Sequence, residues 1–435
     1  MPRILSLDGG GSWALVQVRA LIDLYGYQAT GYDVLKDFDL VVANSGGSIV
    51  AGALAAGWPL SKALSTFLSE SRRKSIFAAG PLLDRLENFI FGLGAKYSTD
   101  KKLAGLTSVF EGFAGTPMDQ LPLMLVGPLG RRVDFIISSF DYDRRRAVLF
   151  RSNTASAAAP IVQVRVATIA EAIHASSTAP VNYFDKPATF PTPEHVLDSF
   201  RFWDGGISGL NNPVLVGVME LLGSGIPAAS IQVLSLGTGT VRRPIPVGIA
   251  APATPLFQTP AKPGTIGDLK ELTGSIVDDP PDQATYFAYL ALGGTLPLPD
   301  ITAPLVPDAL VRMSPMVQPL CTAPDMVNLS ESPADLRVPN LQDSILAQGA
   351  PPMDNFNALS MLDMDAIEGD QVNLIQLLSK VWIAGGVYNQ PVRSNWTFGC
   401  EIGHRFYPEA KAAWLGIVGR PAPAPDPAAD APSGP

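Results

Sequence analysis

Ser45 is the residue whose neighbours best suit it to act as a nucleophile. It lies in the stretch Leu40-Val41-Val42-Ala43-Asn44-Ser45-Gly46-Gly47-Ser48-Ile49-Val50-Ala51-Gly52, where an apolar run breaks at a small, polar turn and resumes as an Ala-rich segment. Read as strand, sharp turn and helix, the stretch lifts the Ser45 hydroxyl above a sheet edge, close to a helix N-terminus. That is the geometry of a nucleophile elbow, usually written G-x-S-x-G. Here Ala43 stands at the first glycine, and Asn44, Gly46 and Gly47 are the elbow's supports. Small residues suit a strained turn that bulkier side chains would crowd. An ordinary structural turn fits the same string.

A serine needs a base to take its proton, and the base needs orientation. The chain has three histidines, His174, His195 and His404. His174 falls in a segment of helical pattern (TIAEAIHASS), where packing or surface exposure is the simpler reading. His195 falls in a Pro-rich loop, and His404 lies far downstream. Asp204, followed by Gly205-Gly206, is the better base, although on spacing alone a turn or helix-cap aspartate explains it more simply. A third loop, Asp8-Gly9-Gly10-Gly11, opens a helical segment. Consecutive glycines there present backbone N–H groups to an anion, either a phosphate or a developing oxyanion.

The elements that must position these loops follow from the periodicity. Pro2–Leu7, Arg132–Ser139, Ala147–Arg151 and Ile231–Leu236 are predicted strands. Trp13–Tyr25, Leu60–Ser69, Leu82–Phe91, Thr99–Phe110, Thr168–Ser177 and the run from Asn212-Pro213 to about Leu222 are predicted helices. Strands alternating with helices imply an α/β domain with a mainly parallel sheet, whose strand-end loops gather on one edge. From about Val247 to Pro263 the chain is Pro/Ala/Thr-rich and reads as an exposed loop. Helical runs follow near Ile266–Ile276, Asp282–Ala291 and Val372–Trp382. Arg420–Pro435 is low in complexity and is expected to be a disordered tail.

The 435 residues suffice for one large domain or two ordinary ones. Charged residues are only 16% of the chain and apolar ones 47%, with a mean hydropathy of +0.20. The formal charge of −9 argues against nucleic acid as a partner. Arg72–Arg151 leans basic, which reads as a solvated surface before an anionic lipid contact. Two cysteines, Cys321 and Cys400, suit a reducing compartment and show no metal-type spacing. No charged n-region and long apolar run opens the chain, so no Sec-type signal peptide is visible. Leu40–Ser61 is uncharged, but its glycine turn and closing Gly57-Trp58-Pro59 read as a buried strand and helix, not a membrane span. A cytoplasmic location is therefore expected, with export by a signal-less route left open.

Five motifs in order, ILSLDGGG, ANSGGS, ASSTAPVNYF, DGGISGLNNP and LSLGTGT, resemble the patatin-like phospholipases, motif by motif from Ile4 to Gly239. AKYS, VLFRS and the later VRMSP and LSMLDMDAIEGD strings extend the likeness more weakly. The resemblance implies a three-layer α/β/α fold with a mainly parallel central sheet and a helical, loop-rich C-terminal extension. It implies a lipid acyl hydrolase working through a Ser45–Asp204 dyad without a histidine base. The N–H groups of the Gly9-Gly10-Gly11 loop, especially those of Gly10 and Gly11, would form the oxyanion hole, with no metal or other cofactor. The partner would be a lipid or other acyl-ester substrate, with peripheral membrane contact allowed and the oligomeric state undetermined. Residues 1–245 would be the catalytic core and 246–418 a continuation that could supply a lid or acyl groove, with plain core packing preferred; 419–435 would be the tail. One departure concerns Trp13, which stands where the family loop carries a basic residue. That puts phosphate recognition at this point in doubt and favours a less charged ester or a more apolar surface. The alternatives are a catalytically inactive module of the same family and an actin-like phosphate-binding ATPase. The latter would continue from its first glycine turn into a β-hairpin.

Overall fold

In the computed structural model, residues 1–76, 96–122, 125–156, 166–180, 183–192, 195–241, 264, 281–296, 309–317, 320–321, 336–337, 358–389 and 402–424 are described. The strands that build the main sheet are β1 (Arg3–Leu7), β2 (Leu40–Ala43), β3 (Asp134–Asp141), β4 (Arg146–Arg151), β5 (Ala188–Thr192), β6 (His195–Asp204) and β7 (Gln232–Leu236). After the short β8 (Thr240–Val241) comes β9 (Leu310–Met313), the far edge of the same sheet. The order is β5-β6-β3-β2-β1-β7-β9, with β4 also paired to β3. From β3 through β2, β1 and β7 to β9 every pairing is parallel, while β4, β5 and β6 are antiparallel additions at one side.

The pleat divides the strand side chains between two faces. Leu5, Leu7, Val41, Ala43, Phe135 and Ile137 point into one core. The helices Leu15–Tyr25, Ser45–Ala55, Gly369–Ile383 and Tyr407–Val418 contribute to that same core. Ile4, Leu40, Val42, Ile136 and Val233 point the other way, against the helix Val214–Gly223 and the helical segment 281–291. A sheet covered on both faces explains why β1 and β2 read as almost continuous apolar runs instead of alternating ones. The result is the expected α/β/α sandwich.

The turn after β1 passes through a 3-10 turn, Gly11–Ala14, into the helix Leu15–Tyr25, and β2 returns parallel to β1. No hairpin follows the first glycine loop, which removes the actin-like reading. Most predicted elements fall within two residues of those observed. The strand predicted at Ala147–Arg151 is β4, which turns back antiparallel through a tight loop. There the Asp141 carboxylate accepts the N–H groups of Asp143 and Arg144. The short apolar run before Asp204 is the end of the longer β6, which also contains His195. The predicted helices Leu82–Phe91 and Ile266–Ile276, the loop at 247–263 and the end of the tail from 425 lie outside the described residues. Among the described residues, no helix is long and apolar enough to cross a membrane.

Candidate active site

The edge of β3 carries two partners in succession. Asp134–Ile137 pair with Leu40–Ala43 of β2, and Ser139–Asp141 then pair with Asp204–Phe202 of β6. β6 therefore ends in the space just beyond the end of β2, where the chain turns at Asn44 and Ser45. Residues 160 positions apart in sequence meet there: Asn44 Nδ2 donates to Asp204 Oδ1 at 3.0 Å. Ser45 and Asp204 line the same pocket, close enough for the serine hydroxyl to act on the carboxylate.

Ser45 is the first residue of the helix Ser45–Ala55 and has φ of 47°. That is the left-handed region, which costs a non-glycine residue about 1–3 kcal/mol and persists only where the surroundings impose it. The surroundings are on both sides of the turn. The Ser45 N–H donates to Ser176 Oγ (2.8 Å), and Ser48 Oγ donates to the Ser45 carbonyl at 2.5 Å. Asn44 is fully buried, and its Oδ1 accepts from Ser138 Oγ (2.8 Å) while its Nδ2 holds Asp204. The two supporting glycines act by being small. A Cβ on Gly46 would overlap the backbone of Gly11, and one on Gly47 would overlap the carbonyls ending β1.

Asp204 is 7% exposed. Its Oδ1 also accepts the Gly206 N–H at 2.8 Å, so the turn-cap reading of this aspartate holds alongside its place in the pocket with Ser45. Burial pushes its carboxyl above the ordinary range, while the nearby Ser45 hydroxyl, the hydrogen bonds from Gly206 and Asn44 and the charge of Lys102 pull it back. His174 is buried and depressed in pKa by desolvation, and no hydrogen bond joins it or His404 to Ser45 or Asp204 among the described residues. The structure thus brings together Ser45, Asp204, Asn44 and the glycine loop, and leaves His174 and His404 out.

The glycine loop is packed on the elbow but its three N–H groups are not equivalent. The Gly9 N–H is committed to the carbonyl of Asn211 (2.8 Å). Among the described residues, those of Gly10 and Gly11 donate no hydrogen bond. Of the three N–H groups in the loop, the two without a partner among the described residues are the ones the resemblance singles out. Behind the loop, Asp8 pairs with Arg312 of β9, both almost fully buried, and Arg312 also donates to Ser235 Oγ (2.8 Å). Burial raises the Asp8 carboxyl to about 6 in spite of that partner.

A pocket opens over Ser45 and Asp204, lined by Gly11, Ile49, Ile76, Phe184 and Met364 among others. Met364 comes from a strap, residues 359–367, that the sequence marks only as a weak likeness. Its carbonyl accepts the Ser12 N–H (2.8 Å), and a Cβ on Gly11 would overlap it. Lys96 pairs with Asp363 (2.8 Å), and the Tyr97 hydroxyl donates to Asp365. Trp13 is buried on the opposite side of the loop from Ser45, beside Asp8 and Arg312, where its Nε1–H donates to the carbonyl of Asp363 (3.3 Å). It helps hold the strap and does not face the serine pocket.

The family model of the patatin-like phospholipases matches residues 5–218, a span that holds Ser45, Asp204 and the glycine loop. Residues 5–218 are a patatin-like phospholipase domain. Among solved structures, VipD from Legionella pneumophila is 12% identical, with a TM-score of 0.31, over 96% of this chain and 74% of that one. No curated protein matches the sequence. Arg312 and the Met364 strap lie beyond the patatin-like match, so the pocket over Ser45 draws one wall from outside it.

Proposed function

We propose that the protein is a serine hydrolase of lipid acyl esters, working through a Ser45–Asp204 dyad and an acyl-enzyme. The observation that carries this reading is that Ser45, at a strained elbow, and the buried Asp204 line one and the same pocket, within a patatin-like domain. Asp204 accepts the Ser45 proton as Oγ attacks the ester carbonyl carbon. The C=O π pair moves onto oxygen, and the N–H groups of Gly10 and Gly11 receive the oxyanion. Each such donor is worth about 2.7–4 kcal/mol in the transition state. Collapse expels the alcohol, which leaves with the proton from Asp204 and deposits the acyl group on Ser45. Asp204 then takes a proton from water, whose oxygen attacks the acyl carbon, and the fatty acid departs as Ser45 is reprotonated.

Two features favour aspartate as the base. Burial makes its carboxylate more basic than an exposed one, closer to the working pH. Asn44 and Gly206 fix the carboxylate, the orienting role that the third member of a triad plays elsewhere. The apolar lining from Ile49, Ile76, Phe184 and Met364 suits an acyl chain.

The test is hydrolysis of p-nitrophenyl acyl esters and of phospholipid vesicles by wild type, Ser45→Ala and Asp204→Asn, with thermal melts alongside. Both variants are expected to fold and to lose at least about 10³-fold in kcat/KM. Full activity in either refutes the dyad; a folded wild type inert on every ester favours a binding module instead.

A further inference from the structure

Lys102 is a fully buried lysine in the wall of the pocket that contains Ser45 and Asp204, and the chemistry above does not use it. It sits on the inner face of the helix Thr99–Val109. Its Nζ donates to Thr178 Oγ1 (3.0 Å) and to the carbonyl of His174 (3.4 Å), and lies 4.3 Å from the centre of the Phe184 ring. Thr178 is also the residue whose carbonyl accepts the Asp204 N–H, at 2.8 Å. One residue therefore fixes both the lysine head and the backbone of the base. Among the described residues Lys102 makes no ion pair; burial pulls its pKa well below the ordinary lysine value, and the charge of Asp204 opposes that, so the two groups favour each other's ionised form. Burying an ammonium without a close counter-ion costs several kcal/mol, and a hydrophobic residue would fill the same space without that cost.

We infer that Lys102 is a positioning residue for the Ser45–Asp204 pair: its ammonium, fixed by Thr178 and the His174 carbonyl in the wall of the same pocket, holds Asp204 in the ionised form that accepts the Ser45 proton. This rests on the dyad proposed above. The groups around the pair leave this role to Lys102. His174, from the helix Ile169–Ser176, is kept neutral by its burial and by Lys102 itself. Arg73, from the helix Glu70–Ile76, turns to the carbonyls of Phe67 and Ile367. On the lysine's own helix, Asp100 pairs outward with Lys186. At the pocket wall, Asp365 is held by Tyr97 and Lys96, and burial raises the Tyr183 phenol far above neutral pH, so that it carries no charge there.

The experiment measures the second-order rate constant for phosphonylation of Ser45 by a fluorophosphonate between pH 4 and 10. It compares the full-length wild type with Lys102→Met and Lys102→Gln, and records a thermal melt for each. Met keeps the volume and Gln keeps a donor for Thr178, and both remove the charge. Loss of the charge raises the proton affinity of Asp204, so the acid limb should move up by about one pH unit or more in both variants, with labelling retained on the alkaline side. A limb that stays in place in either folded variant overturns the proposal. So does loss of labelling at every pH, or failure of both variants to fold, since each would assign Lys102 a role other than its charge. Absence of any adduct on wild type would refute the dyad itself, a separate result.

Discussion

Replacing Asn44 by alanine removes a single side chain that touches both members of the dyad's surroundings. Its Nδ2 supplies one of two fixed donors to Asp204 Oδ1, at 3.0 Å, the other being the Gly206 N–H at 2.8 Å. A hydrogen bond to a charged group contributes about 1.5–3 kcal/mol. At 1.36 kcal/mol per pH unit, losing it raises the proton affinity of Asp204 by about one to two units. The acid limb of kcat/KM, or of phosphonylation, should move up by that amount. Stability should fall by about 1–3 kcal/mol, because Ser138 Oγ loses its 2.8 Å acceptor and a cavity opens. The two effects are linked in sign. The folded-state pKa of Asp204 is already raised by burial, so its contribution to stability is present at low pH and lost as pH rises through that value. Raising it further adds a penalty that is felt above the limb and absent below it. Urea denaturation of wild type and Asn44→Ala at pH 4 and pH 8 should therefore show the larger difference at pH 8. An unmoved acid limb with an equal loss of stability at both pH values would refute the reasoning, leaving Asn44 a packing residue only.

Gly11→Ala should affect both the catalyst and the fold. The glycine has φ of 56°, and an added Cβ would overlap the carbonyl of Met364. Overpacking of this kind costs about 1–3 kcal/mol, and displacing the Gly11 N–H should lower kcat by about 10²–10³-fold; an unchanged kcat would remove this N–H from the oxyanion hole. Asp8 sets a second pH dependence. Its folded pKa of about 6 lies above the ordinary 3.8, so the stability it contributes is complete below about pH 4 and lost as pH rises through 6, about 3 kcal/mol in all. Asp8→Asn, though less stable overall because Arg312 loses its partner, should lack that decline in urea melts from pH 4 to 7; a parallel decline in both proteins would contradict it.

The sequence exposed the parts of this site that local backbone geometry demands. A glycine-bearing turn after an apolar strand marks Ser45 because few side chains tolerate such a turn, and three glycines mark the loop because its backbone must approach the elbow closely. Asp204 could be singled out but not paired, since nothing in its own neighbourhood says that β6 ends beside β2. That pairing comes from β3 changing partners along one edge, a long-range property of the sheet. Asn44 was legible as a small polar support, not as the donor to Asp204. Lys102 was hidden among the basic residues of its region, because a lysine on a helix is ordinarily solvated and only packing reveals its burial. Trp13 read as a lost cation at the substrate; in the fold its ring lies behind the loop and holds the 359–367 strap. The strap is some 350 residues from the loop it covers, and no spacing rule spans that distance.

The most direct test of the central claim is intact-mass analysis of the wild-type protein after treatment with a lipid-like fluorophosphonate, followed by peptide mapping. The account predicts one adduct, on Ser45, that is absent from Ser45→Ala and strongly slowed in Asp204→Asn. An adduct on any other residue, or none on folded wild-type protein, would contradict it.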